Sequence, residues 1–394
     1  MIYMLKLLYI NSSGIFGGGD RSLYEAISAF PENEVDIKVI TPKGDSVTYF
    51  SKLGEVLACK GLSQFDNTKY SHYRNIRWLI LLREIYYLIP NIIVLWKARK
   101  RWSDIDIIHI NEITLLFSVF LCKKFFKNVP IVMHVRSVQK DPSAFSSKMV
   151  AKFLKKNVET LIAIDQSVAK SLPLNLKHII IHNGLCIHGK VQKSIINQGQ
   201  FTLGFVGNFL KSKGIMELLS AFKMCTDRQM DIRLLLVGCR SLKPSFRKYI
   251  LDFFGINQNY DKIAYDYIEK NNLFPKVELI PFTIDLEKIY HQMDIICFPS
   301  CFNACGRPVF EAAFFEKPSI VTITDENTDT IINGVTGICI QDNMPLTIYK
   351  AIEKLYENRI MCHDLGVNAR KMAQENFDIV KNAGVILNIY RSLK

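Results

Sequence analysis

The stretch F-P-S-C-F-N-A-C-G-R-P-V-F-E, Phe298 to Glu311, decides how the rest of the chain is read. Before it stands M-D-I-I-C-F, Met293 to Phe298, a short apolar run closed by Pro299 and Ser300. Such a run reads as a buried strand. After it, Arg307 to Phe315 carries helix formers and an apolar face, and stops at Lys317-Pro318. The stretch is therefore a strand-to-helix turn with Gly306 just before the helix. In an open α/β sheet, ligands sit beyond the carboxyl ends of strands, against helix N-termini. The amides there and a macrodipole of about half a positive charge suit a diphosphate. Glu311 lies about one turn into the helix, where a carboxylate can accept from two neighbouring hydroxyls, such as those of a ribose.

At 394 residues the chain exceeds one ordinary core, so two α/β domains are expected. A hydrophobic share of 49% against 22% charged residues is globular rather than disordered. The formal net charge of +13 suits an anionic partner: nucleic acid, acidic lipid or a phosphorylated substrate. No nucleic-acid motif accompanies it, which favours the latter two. The ten cysteines include no C-x-x-C pair; Cys297, Cys301 and Cys305 run from a strand across a loop and share no helical face, so zinc is not expected. Free thiols fit a reducing cytosol. The opening M-I-Y-M-L-K-L-L-Y-I reads as a strand, because it lacks the basic start and cleavage site of a signal peptide.

The Phe298–Glu311 stretch resembles the Glu-x7-Glu signature of retaining GT-B glycosyltransferases of family 4. Pro299-Ser300, Gly306 and Glu311-Ala312 match in register, while Asn303 stands where the first glutamate of the signature is expected and Cys305 where a Phe is usual. F-T-L-G-F-V-G-N-F-L-K-S-K-G, from Phe201, resembles the opening of that family's second domain, with Gly207 and Lys213-Gly214 in register and Asn208 replacing an often basic residue. Upstream, Leu5 to Ile10 reads as a strand, followed by a glycine-rich turn and a helix over Leu23 to Phe30. That turn is not G-x-G-x-x-G, so a nicotinamide cofactor is unsupported. It resembles the family's first loop, which places Gly17 and Gly18 toward the donor diphosphate. Ile131 to Val135 reads as another strand; His134 at its carboxyl end resembles the family histidine that contacts the donor sugar, and a packing histidine is the plainer alternative. Gly334 and Gly337 match a D-G-x-x-G turn, with Asp329 where a glutamate is usual.

The resemblance implies two Rossmann-like domains facing across a cleft, with a last helix crossing back to the first. The expected boundaries are 1–188 for an acceptor-binding domain, 189–200 for a polar linker, 201–376 for a nucleotide-sugar domain and 377–394 for the crossing helix. It implies metal-independent, retaining transfer of a hexosyl unit from a nucleotide-diphosphate sugar, with no cofactor. Lys213, Glu311 and His134 would form the catalytic set; Gly17, Gly18, Gly207, Asn208, Asn303, Gly306 and Arg307 would join Lys213 and Glu311 around the donor. Asp104-Ile105-Asp106 spells the D-x-D of metal-dependent glycosyltransferases, but it leads straight into an apolar strand. Other proteins sharing this fold remain alternatives: a sugar-nucleotide epimerase, or a nucleotide-sugar-binding or membrane scaffold protein with a decayed site.

Asn75 to Trp102 is rich in Trp, Tyr, Leu and Ile and ends in Lys97, Arg99, Lys100 and Arg101. A spanning helix needs about 20 apolar residues; Arg83-Glu84 and Pro90 argue against one. Two readings stand. One is a kinked, buried helix pair; the other is an interfacial helix with its basic end on anionic lipid. The second points to a lipid-linked glycan acceptor in bacterial surface-polysaccharide assembly, and to a cytoplasmic enzyme held on the inner face of the membrane.

Overall fold

A computed structural model describes residues 3–69, 80–185, 199–239, 259–283, 285–302, 305–324 and 329–394. The chain divides into two units: Met1–Cys186 with Phe377–Lys394, and Ile187–Asn376. The expected linker lies almost wholly outside the described residues, as do Asn303 and the Asn75–Leu79 start of the aromatic segment.

In the first unit, β1 (Leu5–Ile10), β2 (Val35–Pro42), β3 (Glu55–Cys59), β4 (Ile107–Ile110), β5 (Ile131–Val135), β6 (Thr160–Ala163) and β7 (His178–Ile180) form one sheet. Its order is β3-β2-β1-β4-β5-β6-β7, with every pairing parallel. The central strands are almost wholly apolar because helices cover both faces of a parallel sheet; His109 and His134 are the buried polar exceptions. One face packs α3 (Ile80–Arg101), α4 (Leu116–Phe125), α5 (Phe145–Asn157) and α6 (Gln166–Lys170). The other packs α1 (Gly18–Ser28), α2 (Asp45–Phe50) and the last helix, Ile379–Leu393.

That last helix belongs to the first unit. Asp378 caps it, its carboxylate accepting from the Val380 and Lys381 amides at 2.9 and 3.1 Å. Ala383, Ile386, Leu387 and Tyr390 enter the core beside Leu7 and Tyr9. Gly184 lies against it so closely that a Cβ would meet the Ile379 Cα at 2.5 Å.

The second unit repeats the plan: β8 (Phe201–Val206), β9 (Ile232–Cys239), β10 (Val277–Pro281), β11 (Ile295–Phe298), β12 (Ser319–Thr322) and β13 (Gly337–Ile340). The order is β10-β9-β8-β11-β12-β13, again parallel. Its described helices are α7 (Ile215–Asp227), α8 (Tyr260–Lys270), α9 (Glu287–His291), α10 (Arg307–Phe314), α11 (Pro345–Glu357) and α12 (Arg359–Asn376). In each sheet the strand order reverses once, between β1 and β4 and between β8 and β11. Those are the points where doubly wound sheets open a ligand crevice.

Two expectations change. The first helix begins at Gly18, not Leu23. Gly17 is its N-cap, and Gly18 and Gly19 form its first turn, which glycine content had made to look like loop. The aromatic segment is not a buried helix pair: α3 is a single helix with Pro90 inside it, and only Glu84, Asn91, Val94, Leu95 and Ala98 are buried. Among the described residues, no helix is long and apolar enough to cross a membrane.

Candidate active site

In the second unit the two loops that flank the strand reversal are tied together. After β8 the chain passes Gly207 and Asn208 and makes one 3-10 turn, Lys211–Lys213. It then enters Gly214 at φ 72°, the left-handed region that favours glycine. A Cβ on Gly214 would lie 2.1 Å from the Pro299 carbonyl oxygen. The buried Ser300 hydroxyl donates to the Ser212 carbonyl at 3.0 Å, and the Cys301 amide donates to the same oxygen at 3.1 Å. The Lys-Gly and Pro-Ser motifs, far apart in sequence, are thus two sides of one contact.

Lys213 emerges from this junction. Its ammonium lies 4.7 Å from the Phe298 ring centroid and 5.8 Å from that of Phe302. It has no carboxylate partner among the described residues. Burial holds its pKa below the ordinary lysine value, with Cys301 nearby opposing. A partly dehydrated cation with no counterion is a place for an anion.

Gly306 caps α10, and Pro308 near the helix start loses no hydrogen bond there. A Cβ on Gly306 would meet the Phe298 ring at 2.3 Å, so glycine lets the loop close on the strand end. Glu311 is buried. One carboxylate oxygen accepts from Arg307 Nε at 2.6 Å, the other from the Tyr290 hydroxyl at 2.8 Å. Arg307 and Glu311 therefore neutralise each other one helical turn apart, and Arg307 serves first to orient Glu311. Cys297 packs in the main core of this unit, Cys305 packs against a second cluster, and Cys301 is exposed.

In the first unit, Gly17 and Gly18 stand after β1, and a Cβ at Gly18 would meet no atom within 4 Å. Three residues that the sequence reading did not single out join them, each directly after an apolar strand: Asn11, Asn111 and Arg136. Asn111 donates to Asn11 at 2.9 Å, and Arg136 donates to Asn111 at 2.9 Å and to Asn183 at 2.7 Å. Position just past a strand's carboxyl end is the signal that would have found them. Asp20, in the first turn of α1, accepts from the Ser46 hydroxyl at 3.0 Å; burial pushes its pKa up to about 6.

His134 is buried near the carboxyl end of β5, its Nδ1 2.6 Å from His109 Nε2. Burial, reinforced by Arg136, pushes His109 down to about 3 and His134 well below its ordinary value, so both are neutral. A cavity of about 250 Å³ opens in the same unit, lined by Ser12, Gln64, Asp66, Glu84 and Glu112 among others. Burial raises Glu112 to about 7. Asp104 and Asp106 lie at the other, amino end of β4: Asp104 pairs with Lys6, and Asp106 accepts from the Lys6 amide and pairs with Lys394.

Comparison with known proteins follows the same division. Residues 16–186 match the family described as Glycosyltransferase Family 4, and residues 189–372 match Glycosyl transferases group 1. The capsular polysaccharide biosynthesis glycosyltransferase CapM of Staphylococcus aureus is 29% identical over 177 residues, which are 45% of this chain and 42% of CapM. The chain thus spans under half the length of that relative. An uncharacterised glycosyltransferase of Methanocaldococcus jannaschii, MJ1178, is 24% identical over 79% of this chain and 84% of its own. Among solved structures, Anabaena HepE in complex with UDP and glucose superposes with a TM-score of 0.71 at 18% identity, covering 98% of this chain and 100% of HepE. Sucrose-phosphate synthase from Thermosynechococcus elongatus gives 0.72 at 16% identity, covering 99% of each. Two successive family matches, on two parallel sheets that each reverse strand order beside a glycine-rich turn, place this chain among the family 4 type glycosyltransferases of GT-B fold.

Proposed function

We propose that this glycosyltransferase moves a hexosyl unit from a nucleotide-diphosphate sugar to an acceptor hydroxyl, with retention at the anomeric carbon and without a metal ion or other cofactor. The observation that carries this reading is the Lys213 ammonium, which meets two aromatic rings and no carboxylate where the two loops join. The bond from the anomeric carbon to the diphosphate oxygen breaks, and a bond to the acceptor oxygen forms on the same face. The acceptor proton passes to the departing diphosphate, so no protein base is required. Lys213 and the loop amides stabilise the charge that develops on the leaving group. Glu311, held by Arg307 and Tyr290, accepts from the ribose hydroxyls. Asn303, which stands where the first glutamate of the signature is expected, would bear on sugar choice.

A panel of nucleotide sugars, assayed for acceptor-dependent release of the nucleoside diphosphate in excess chelator, tests this. One donor should turn over with the chelator present. Loss of activity that manganese restores would overturn the metal-independent reading. Tight donor binding without release would indicate a binding protein, and isomerised donor an epimerase.

The acceptor in this proposal is a lipid-linked glycan of a bacterial surface polysaccharide: lipopolysaccharide, O-antigen or capsule. The CapM relative supports the capsule reading. The cavity lined by Gln64, Asp66, Glu84 and Glu112 offers acceptors and donors for sugar hydroxyls. Beside it starts α3, whose outward face exposes Leu82, Ile85, Tyr86, Ile89, Ile93 and Trp96, with Ile85 61% and Ile89 63% accessible. Phe120 on α4 and Phe145 and Met149 on α5 are also exposed on this helical layer. Lys97, Lys100, Lys124, Lys148 and Lys152 are exposed on the same three helices. An apolar face with lysines around it complements an anionic bilayer, here the inner face of the cytoplasmic membrane.

Arg99 and Arg101 are less free than the sequence suggested: Arg99 donates to the Ser103 carbonyl, and Arg101 pairs with Glu55 at 2.7 Å. Reversal of Lys97, Lys100, Lys124 and Lys152 to glutamate therefore tests docking without breaking these contacts. At about 1 kcal/mol per basic residue, these four contribute roughly 4 kcal/mol, which salt screens. The wild type should float with anionic vesicles at low salt and the variant should not, while transfer to a short soluble acceptor persists in both. A wild type that stays unbound at low salt would remove the membrane from the reading.

A further inference from the structure

Three neighbouring strands place a polar side chain on the same face of the first sheet. Tyr9 on β1 stands opposite His109 on β4 in the parallel register, and His134 on β5 comes next. The last helix lays Tyr390 over them. The result is one unbroken chain of contacts: Tyr9 hydroxyl to Tyr390 hydroxyl at 3.1 Å, Tyr390 hydroxyl to His109 Nδ1 at 2.5 Å, and His109 Nε2 to His134 Nδ1 at 2.6 Å. All four residues are at most 4% exposed.

A neutral imidazole has one N–H, so the chain can be ordered in only two ways. If the protons point toward Tyr9, the Tyr9 hydroxyl must find another acceptor. Its hydrogen-bond partner among the described residues is Tyr390 alone. That order strands a buried O–H, a costly arrangement. If the protons point the other way, Tyr9 donates to Tyr390, Tyr390 to His109 Nδ1, and His109 Nε2–H to His134 Nδ1. Every donor inside the chain then has an acceptor. The one N–H left over is on His134 Nε2, which has no protein partner among the described residues and is not among the enclosed unpaired atoms.

We propose that the Tyr9–Tyr390–His109 chain locks His134 as its Nε2–H tautomer, so that His134 offers the sheet's ligand edge a neutral hydrogen-bond donor, with Tyr390 the positioning residue. The last helix thereby takes part in the site from beneath the sheet, through two histidine rings. A donor of this kind favours a ligand oxygen, such as a sugar hydroxyl acting as acceptor. It does not supply a positive charge.

Nitrogen-15 spectra of the histidine rings in the full-length protein test the tautomers directly. His134 should show a bare Nδ1 and a protonated Nε2, and His109 the same. Protonated Nδ1 on His134 would overturn the proposal without any variant. Tyr390→Phe removes only a hydroxyl, and it should replace the single tautomer of each histidine by a mixture. Tyr9→Phe, which leaves Tyr390 free to donate to His109, should preserve both tautomers. Unchanged spectra in Tyr390→Phe would sink the assignment of Tyr390. A second arm rests on the transferase reading of His134. In it, Tyr390→Phe should lower turnover about tenfold while leaving nucleoside-diphosphate affinity unchanged. If the tautomers respond but turnover does not, the chain stands and the role of His134 toward the sugar falls.

Discussion

Lys213→Ala should lower turnover of the preferred nucleotide sugar by about two orders of magnitude or more, and it should do so without loosening the fold. Removing one preorganised donor from a site of developing negative charge costs about 3–4 kcal/mol in other enzymes. Here the Lys213 ammonium sits half-buried at the junction of the β8 and β11 loops without a carboxylate among the described residues, whereas Lys211 in the same turn is exposed and Arg307 pairs with Glu311. The two effects should separate. Burial lowers the Lys213 pKa, so keeping the charge there works against folding at neutral pH. Alanine relieves that, and the melting temperature without ligand should hold or rise. The stabilisation given by an added nucleoside diphosphate should shrink. A residue that loses activity as it gains stability is the signature of a binding charge, not a packing one. Near-normal turnover in Lys213→Ala would remove the lysine from the site.

Glu311→Gln should weaken nucleotide binding and turnover by about 10- to 100-fold, as expected for losing a hydrogen bond to a charged group worth about 1.5–3 kcal/mol. The variant must be chosen with the buried pair in mind. Glu311→Ala would leave the Arg307 guanidinium, 11% accessible, without its partner. Breaking such a pair costs about 3–5 kcal/mol of stability by itself. Glutamine keeps the volume and an acceptor for Tyr290 or Arg307, and changes chiefly the charge. The decisive measurement compares a ribonucleoside diphosphate with its 2′,3′-dideoxy analogue by calorimetry. The wild type should prefer the ribose form, and Glu311→Gln should lose most of that preference. Equal discrimination in both proteins would show that Glu311 serves only to hold Arg307 and Tyr290.

Much of this architecture was legible before any coordinates, for a local reason. Strands buried on both faces must be mostly apolar, so Leu5–Ile10, Ile131–Val135 and Ile295–Phe298 stand out from their polar turns. Gly306 could be placed between a strand and a helix from the local pattern alone, whereas Gly207 and Lys213-Gly214 were singled out by resemblance to the family's second-domain opening. Asp378, whose carboxylate satisfies two free amides at the start of the last helix, carried the same kind of local signal but was not singled out. The start of α1 was not legible, because three glycines in succession look the same in a loop and in a first turn.

What the sequence determined alone was therefore the alternation of strand and helix, the division into two units and the glycine-bearing loops after the strands. The tertiary structure decided everything that depends on which residues become neighbours. It brought Gly214 against the Pro299 carbonyl, which is why a side chain at Gly214 would clash there. It buried Glu311 and shared its carboxylate between Arg307 and Tyr290, and it left Lys213 half-buried without a carboxylate among the described residues. It set one face of α3 outward, a choice that the helix's apolar content on both faces could not reveal. It also aligned Tyr9, His109, His134 and Tyr390, four residues from three strands and the last helix. Apolar patterning acts within a few residues and is written along the chain; pairing of buried charges and hydrogen bonds is set by parallel register and helix placement, which join residues hundreds of positions apart.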